Sequence, residues 1–306
     1  MSEATAPSLF DLGAETIAGA PALLLPALGL AAAGMALVGL PLLAIEAIRL
    51  RRRGELTRRR LAGMATSAFC ALPASLVQAL FGGALMAVFL AASTLAPWSI
   101  PTGWATALLC LVAVDFFYYW EHRLGHRVNA LWSLYHSVHH SADHFDQTIG
   151  LRISFVDFFF APLIYLPLVI VGFHPLLVFA CFGVVLAWQQ WIHTELVGKL
   201  PLLDPWLNTP ANHRVHHGRN DIYLDRNYGG VLILWDRLFG TYAPESEAVD
   251  YGLVEQLKSR NPLAVHFAGF GKLFAALGRA RSASDALKAA FGPPEAQPGE
   301  AAKPAE

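Results

Sequence analysis

One pattern of histidines recurs through this chain. His122-Arg-Leu-Gly-His126 is followed by His136-Ser-Val-His139-His140, and His213-Arg-Val-His216-His217 repeats the second spacing far downstream. Residues three and four apart on a helix lie one above the other on the same face. His122 and His126 are therefore expected to point at one centre, and His136, His139 and His140 likewise. Any fold of this chain must gather three distant segments. Imidazole is a good ligand for iron, zinc, copper and nickel, so the clusters read as a metal site. A lone histidine is more often a hydrogen-bonded structural residue, and His174 and His266 are read that way. His144 lies near the second cluster but outside its spacing and is set aside. His193, just before Thr194-Glu195, closes an apolar run and is taken as a ninth ligand.

The spacing also bears on the metal. A zinc protease uses His-Glu-x-x-His with the Glu as general base. Here Arg123 follows His122, so that base is missing. A structural zinc takes four ligands, usually including cysteine. Eight or nine histidines exceed one tetrahedral ion, and two six-coordinate irons with room for oxygen fit the count better. A membrane zinc hydrolase acting on a lipid is the alternative.

Composition places the site at a membrane. Of 306 residues, 55% are hydrophobic and only 15% charged, with mean hydropathy +0.43; a soluble domain carries nearer a quarter charged residues. Apolar runs extend over about 17–48, 61–95 and 104–120, and then over 153–171 and 175–192 as a hairpin around Gly172-Phe-His-Pro175. Whether that hairpin crosses the bilayer or only enters it is left open. The block from Arg49 to Arg60 marks the cytoplasmic side by the positive-inside rule. With that loop inside, the third run finishes inside, and the hairpin returns His193 and the last cluster to the same face. All the clustered histidines then share one side. The expected fold is all-α: an integral membrane bundle of about four to five apolar helices with a cytosolic helical cap carrying the polyhistidine site. Three regions are expected: 1–103 with two membrane helices, 104–245 as the catalytic domain, and 246–306 as a helical segment with a disordered tail from about residue 292. Cys70, Cys110 and Cys181 fit no zinc or disulfide spacing and read as buried small residues. The N-terminus lacks the basic region of a cleaved signal peptide. No basic stretch with interleaved aromatics suggests nucleic acid.

Three segments carry a resemblance to a known family: Asp115-Phe-Phe-Tyr-Tyr-Trp-Glu-His-Arg123, His193-Thr-Glu-Leu-Val-Gly-Lys199 and Thr209-Pro-Ala-Asn-His-Arg-Val-His-His-Gly-Arg-Asn220. It continues through Asn227-Tyr-Gly-Gly230 and Leu234-Trp-Asp-Arg-Leu-Phe-Gly-Thr241. Together they resemble the fatty acid hydroxylase/sterol desaturase superfamily of membrane di-iron oxygenases, and most closely its pterin-dependent branch acting on ether lipids. The resemblance implies two iron ions, O2, and insertion of oxygen into, or desaturation of, a lipid C–H bond. It implies His122, His126, His136, His139, His140, His193, His213, His216 and His217 as ligands. The branch has a histidine where this chain has Asn212. No fused electron carrier is seen, since His174-Pro175-Leu-Leu lacks the HPGG signature of a cytochrome b5 domain. Reducing equivalents are expected from a separate redox protein or a tetrahydropterin.

A ligating imidazole usually hands its other N–H to an acceptor. Asp115, two turns before His122, is a candidate for that role, with Glu195, Asn212, Asp225 and Asp236. Tyr118, Tyr119, Trp120 and Trp188 read as packing or interface residues. Arg152, Arg214 and Arg219 either hold a lipid headgroup or pterin, or pair with neighbouring carboxylates.

Overall fold

The computed structural model describes residues 39–294. Most of the expected first apolar run, and the tail beyond residue 294, lie outside the described residues. Helix α1, residues 39–52, ends in the arginine block. Helix α2, Arg58–Ser93, starts at Thr57, whose hydroxyl accepts the Arg60 N–H at 3.2 Å, and carries Pro73 inside. After Arg60 it has no charged residue. Its 36 residues at about 1.5 Å each exceed the thickness of a hydrocarbon core. Helix α3, Trp104–Arg127, starts where the Gly103 N–H meets the Thr106 hydroxyl at 2.8 Å.

Beyond α3 the chain changes character. A single turn, Asn129–Leu131, leads into a π-helical turn, Trp132–His136, and then a one-turn helix, Ser137–His140. Such π-turns displace the residues after them around the helix axis and concentrate at functional sites. The expected hairpin is only half regular. Its first arm begins at Asp157, tightens to 3-10 geometry over Ala161–Tyr165, where Pro162 removes a donor, and resumes over Leu166–Ile170. Gly172 makes the turn with φ 112°, a region open to glycine and strained for other residues. Helix α4, Pro175–Ile192, is continuous; His174 caps it by accepting the Leu176 N–H at 3.2 Å, the structural part expected of that residue. Helix α5, Pro210–His216, follows the Thr209 cap, and α6 (Pro262–Gly278) and α7 (Ala283–Phe291) are the last helices among the described residues.

Among the described residues there are helices and two isolated bridges, and no strand. The principal apolar cluster lies between α3, α4 and the broken arm, built from Val114, Tyr165, Leu168, Val169, Leu177 and Val185. Two described helices, α2 and α4, are long and apolar enough to cross a membrane, fewer than the four to five expected; the first arm of the hairpin is too short and too broken. Only 17% of the most apolar window of α2 is buried, leaving Leu72, Leu76, Leu80 and Phe81 uncovered. Water would not tolerate such a face, and lipid would. The apolar helices are compatible with a membrane protein. The three cysteines are buried and unpaired, as expected.

Candidate metal centre

The nine histidines converge, in two groups. His122, His126, His136, His140 and His216 form the first; His139, His193, His213 and His217 form the second. Within each group one nitrogen per ring lies within 4.8 Å of all the others. The expectation that His136, His139 and His140 share one centre is corrected here. On a helix, His139 and His140 are separated by about 100° of rotation, so they straddle the axis running from His136. The i, i+4 pair His136/His140 goes to the first group and His139 to the second. The downstream cluster does the reverse, sending His213 and His217 to the second group and His216 to the first. The groups are in contact: the rings of His140 and His217 stack at 4.4 Å between centroids, interplanar angle 19°.

Local structure delivers each ring. Gly125, between His122 and His126, faces His136; a Cβ there would come within 3.3 Å of its Cγ. The absence of a side chain lets α3 lie close to the π-turn. Proline at the first position of α5 starts that helix where a missing N–H costs nothing. Its last turn then carries His213 and His216 inward.

The tautomers follow from backbone acceptors. The Nδ1 of His122 donates to the Tyr228 carbonyl at 3.0 Å, that of His193 to the Gln189 carbonyl at 2.7 Å, and that of His216 to the Arg226 carbonyl at 3.0 Å. A neutral imidazole holding its proton on Nδ1 leaves a lone pair on Nε2. Those Nε2 atoms point at other imidazoles: His193 lies 3.2 Å from His139 Nε2 and 2.9 Å from His213 Nε2, and His216 lies 3.1 Å from His140 Nε2. Burial, reinforced by the neighbouring rings, lowers the pKa of His193, His213, His216 and His217 well below the ordinary value, and burial brings His139 to about 4. A crowd of neutral nitrogens with convergent lone pairs is the donor set a transition-metal ion requires. His136 Nε2, His139 Nδ1, His213 Nδ1 and His217 Nε2 are buried without a hydrogen-bond partner. The residues fit a metal pair.

The acidic residues singled out from sequence sit one step further out. Asp115 accepts from the Val231 N–H (2.5 Å), the Leu232 N–H (3.1 Å) and Trp235 Nε1 (2.8 Å), rather than from an imidazole. Gly230 passes so close that any side chain there would strike the Asp115 carboxylate. Asp236 accepts the N–H groups of Tyr228 and Gly229 at 2.8 and 2.7 Å and the Thr241 hydroxyl at 2.7 Å. Burial raises its pKa to about 6, against the pull of those hydrogen bonds. Both aspartates hold the loop whose Tyr228 carbonyl orients His122. Asp225 ion-pairs with Arg127, and its other oxygen lies 3.8 Å from His126 Nδ1. Asn212 turns its amide to the carbonyls of Asp204 and Leu207, both at 2.9 Å, away from the rings. Glu195 is partly exposed, 3.5 Å from Arg60. Arg152 is buried against Val138 O and Ser141 Oγ, while Arg214 and Arg219 pair with Glu245 and Asp250.

Several contributors escape sequence reasoning. The carbonyls of Gln189, Arg226 and Tyr228 could belong to any residue type. Glu46, on α1 within an apolar run, accepts the Gln147 N–H and the Thr194 hydroxyl, both at 2.6 Å, beside His193; only its isolation among apolar residues could have flagged it. His144 joins neither histidine group and lies against Asp143 and Asp146. His266 accepts the Phe155 N–H, contacts Ser154 Oγ and stacks on the Phe155 ring, a structural part as expected. A cavity of about 70 Å³ reaches the first group, bordered by His126, His140, His216, Gly218, Asp225 and Leu253.

Comparison with known proteins agrees with this chemistry. Residues 107–241 match the fatty acid hydroxylase family. Alkylglycerol monooxygenase of Xenopus tropicalis is 45% identical over 170 residues, covering 55% of this chain and 37% of that protein. The Homo sapiens alkylglycerol monooxygenase is 43% identical over 172 residues, covering 56% and 37%. Ornithine lipid hydroxylase OlsE of Rhizobium tropici is 34% identical over 160 residues, covering 50% and 48%. The chain thus spans little more than a third of the length of those monooxygenases. No solved structure matches it significantly. Motifs, ring geometry and these likenesses coincide over residues 107–241, the stretch that matches the fatty acid hydroxylase family.

Proposed function

We propose that this chain is a membrane-bound, non-haem di-iron oxidoreductase that uses O2 to hydroxylate or desaturate a C–H bond of a lipid. The carrying observation is the pair of interleaved imidazole groups, five and four rings, each able to hold one ion. Two irons held there would supply the reductive activation of O2 and the removal of hydrogen from the substrate. The chain's own part is orientation and dryness. The carbonyls of Tyr228, Gln189 and Arg226 keep three rings in the tautomer that presents Nε2. Phe145 packs on His193, His213 and His217, and Trp132 packs on His126 and His140, shielding both groups from water.

The nine clustered histidines are the ligands in this reading. Residues 104–245 are the catalytic unit, 1–103 a membrane region with two spans, and 246–306 a helical segment and tail. The bundle has four to five membrane helices, and the arginine block puts the site on the cytosolic face. Lipid arrives from the bilayer, and a separate redox protein or tetrahydropterin delivers electrons through the cavity at His126 and His216. An ether-linked glycerolipid is the first substrate to try, by likeness to the monooxygenases.

Metal content and lipid oxidation, measured on detergent-purified protein from iron-supplemented cells, test this. The expected result is about two irons per chain and lipid oxidation dependent on both O2 and a reductant. Zinc that persists under iron-rich expression, with no oxygen consumption after iron loading, would replace this reading with a zinc hydrolase.

A further inference from the structure

One ring of the second imidazole group is not placed by helical geometry. His139 lies on a one-turn helix, and His213 and His217 lie on α5 and at its C-terminal end. His193 instead follows α4 on a backbone that has left the helix, with φ −79° and ψ 67°. Its carbonyl accepts Gln147 Nε2 at 3.1 Å, and the same amide nitrogen reaches the Trp191 carbonyl at 3.0 Å. Gln147 and Thr194, the residue after His193, are both held by one side chain, Glu46 of α1. Glu46 Oε2 accepts the Gln147 N–H and Oε1 accepts the Thr194 hydroxyl, each at 2.6 Å.

The packing of α1 alone does not call for an acid here. Glu46 sits in the apolar stretch Pro41-Leu-Leu-Ala-Ile-Glu-Ala-Ile48 and is 1% exposed. Among the described residues no ion pair includes it. Burying a carboxyl group is costly unless hydrogen bonds compensate it, and the two 2.6 Å contacts are that compensation. A second tether reaches the same segment from α2. Arg60 donates to the Phe145 carbonyl at 2.8 Å and to Asp146 Oδ2 at 3.2 Å, and the Phe145 ring packs on His193, His213 and His217. Both tethers come from outside residues 107–241, the stretch that matches the family.

We infer that Glu46 is a positioning residue for the second imidazole group: through Gln147 and Thr194 it fixes the backbone at His193, so that α1 forms part of the metal centre although it supplies no ligand. This rests on the metal-pair reading above and not on the chemistry of O2. It requires no particular protonation state, because a glutamine of the same shape can make both contacts. Its oxygen accepts the Gln147 N–H, and its NH2 donates to the Thr194 hydroxyl oxygen. The first group is oriented separately, through the Tyr228 loop that Asp236 holds. Glu46 therefore acts on one ion of the two, the one shared by His139, His193, His213 and His217.

Zinc binding to the full chain in detergent, in competition with a chromogenic chelator, tests this without turnover. Glu46→Ala should weaken one of the two zinc ions by about 10–100-fold and leave the other near its wild-type affinity. Glu46→Gln should restore most of that loss. Adding His139→Ala to Glu46→Ala should cost little more, whereas adding His136→Ala should release the remaining ion, which assigns the weakened site to the second group. If Glu46→Ala does not fold, Thr194→Val, which removes the hydroxyl alone, decides by the same reading, with a smaller loss at the same ion. A residue that only supports the fold would weaken both ions together. That result overturns the inference, as does unchanged zinc affinity in Glu46→Ala, or a Glu46→Gln variant as weak as the alanine. A wild-type chain that holds fewer than two zinc ions removes the inference together with the metal pair. Absence of O2-dependent oxidation with the zinc pattern intact would instead remove the oxygenase reading alone.

Discussion

The ring of His122 is tied to the backbone of Tyr228, 106 residues downstream, by a 3.0 Å hydrogen bond from Nδ1 to the carbonyl oxygen. That carbonyl is held in turn by Asp236, which takes the N–H groups of Tyr228 and Gly229. One buried carboxylate therefore governs the aim of an imidazole it never touches.

Asp236→Ala should loosen that aim. It strands two buried N–H groups, each worth about 1–3 kcal/mol when unsatisfied, and should weaken metal binding at the first group by about 10–100-fold. Metal retention against a chelator series, with thermal unfolding alongside, checks this. Wild-type retention in a folded variant would show that the loop does not orient His122.

The exchange of middle histidines between groups predicts which losses share a partner. His139→Ala should impair the same ion as His193→Ala, and His216→Ala the same ion as His136→Ala. In metal titrations, double variants within a group should be strongly non-additive and those across groups more nearly additive, since residues that share a partner couple. Equal coupling across all pairs would contradict the two-group geometry.

Gly125→Ala tests the close approach of α3 to the π-turn. The added methyl sits 3.3 Å from His136 Cγ, and the required shift should cost about 1–3 kcal/mol. Metal should be lost from the first group before the second. A variant with wild-type melting and full metal content would mean that the π-turn yields freely.

The lowered histidine pKa values carry a pH signature in the metal-free protein. Between the unfolded value near 6.5 and the folded value of about 4 for His139, the unfolded chain binds more protons than the folded one. Stability therefore falls as pH drops through that window, by on the order of 1–2 kcal/mol for each such ring. His193, His213, His216 and His217 add in the same direction. Asp236, raised from 3.8 to about 6, works oppositely: its cost grows as pH rises through that interval, then levels off. The histidines outnumber it, so melting of chelated protein should be markedly lower at pH 5 than at pH 7.5. A flat profile would mean that the rings are protonated in the fold.

Much of the site was legible in the sequence because i, i+3, i+4 spacing is geometric. His122/His126 and the two HxxHH clusters converge as that spacing requires, and His193 joins them. The split of each HxxHH between two groups was not read from the spacing, although adjacent helical residues lie about 100° apart; it appears only once the distant segments are packed around the two groups. Asp115 and Asp236 were noticed as partners, but their contacts are with backbone N–H groups of a loop, which leave no mark in side-chain spacing. The all-helical character followed from the apolar runs. The number of spans did not, since Pro162 and Pro167 break the first hairpin arm and the first run lies mostly outside the described residues.

Each short HxxHH helix works as a yoke across the two imidazole groups. Rotating one by a few degrees draws nitrogens toward one group and away from the other at the same moment. A shift of the rings in one group would be transmitted to the other through the backbone. The two imidazole groups are thus mechanically linked through the helices that share them.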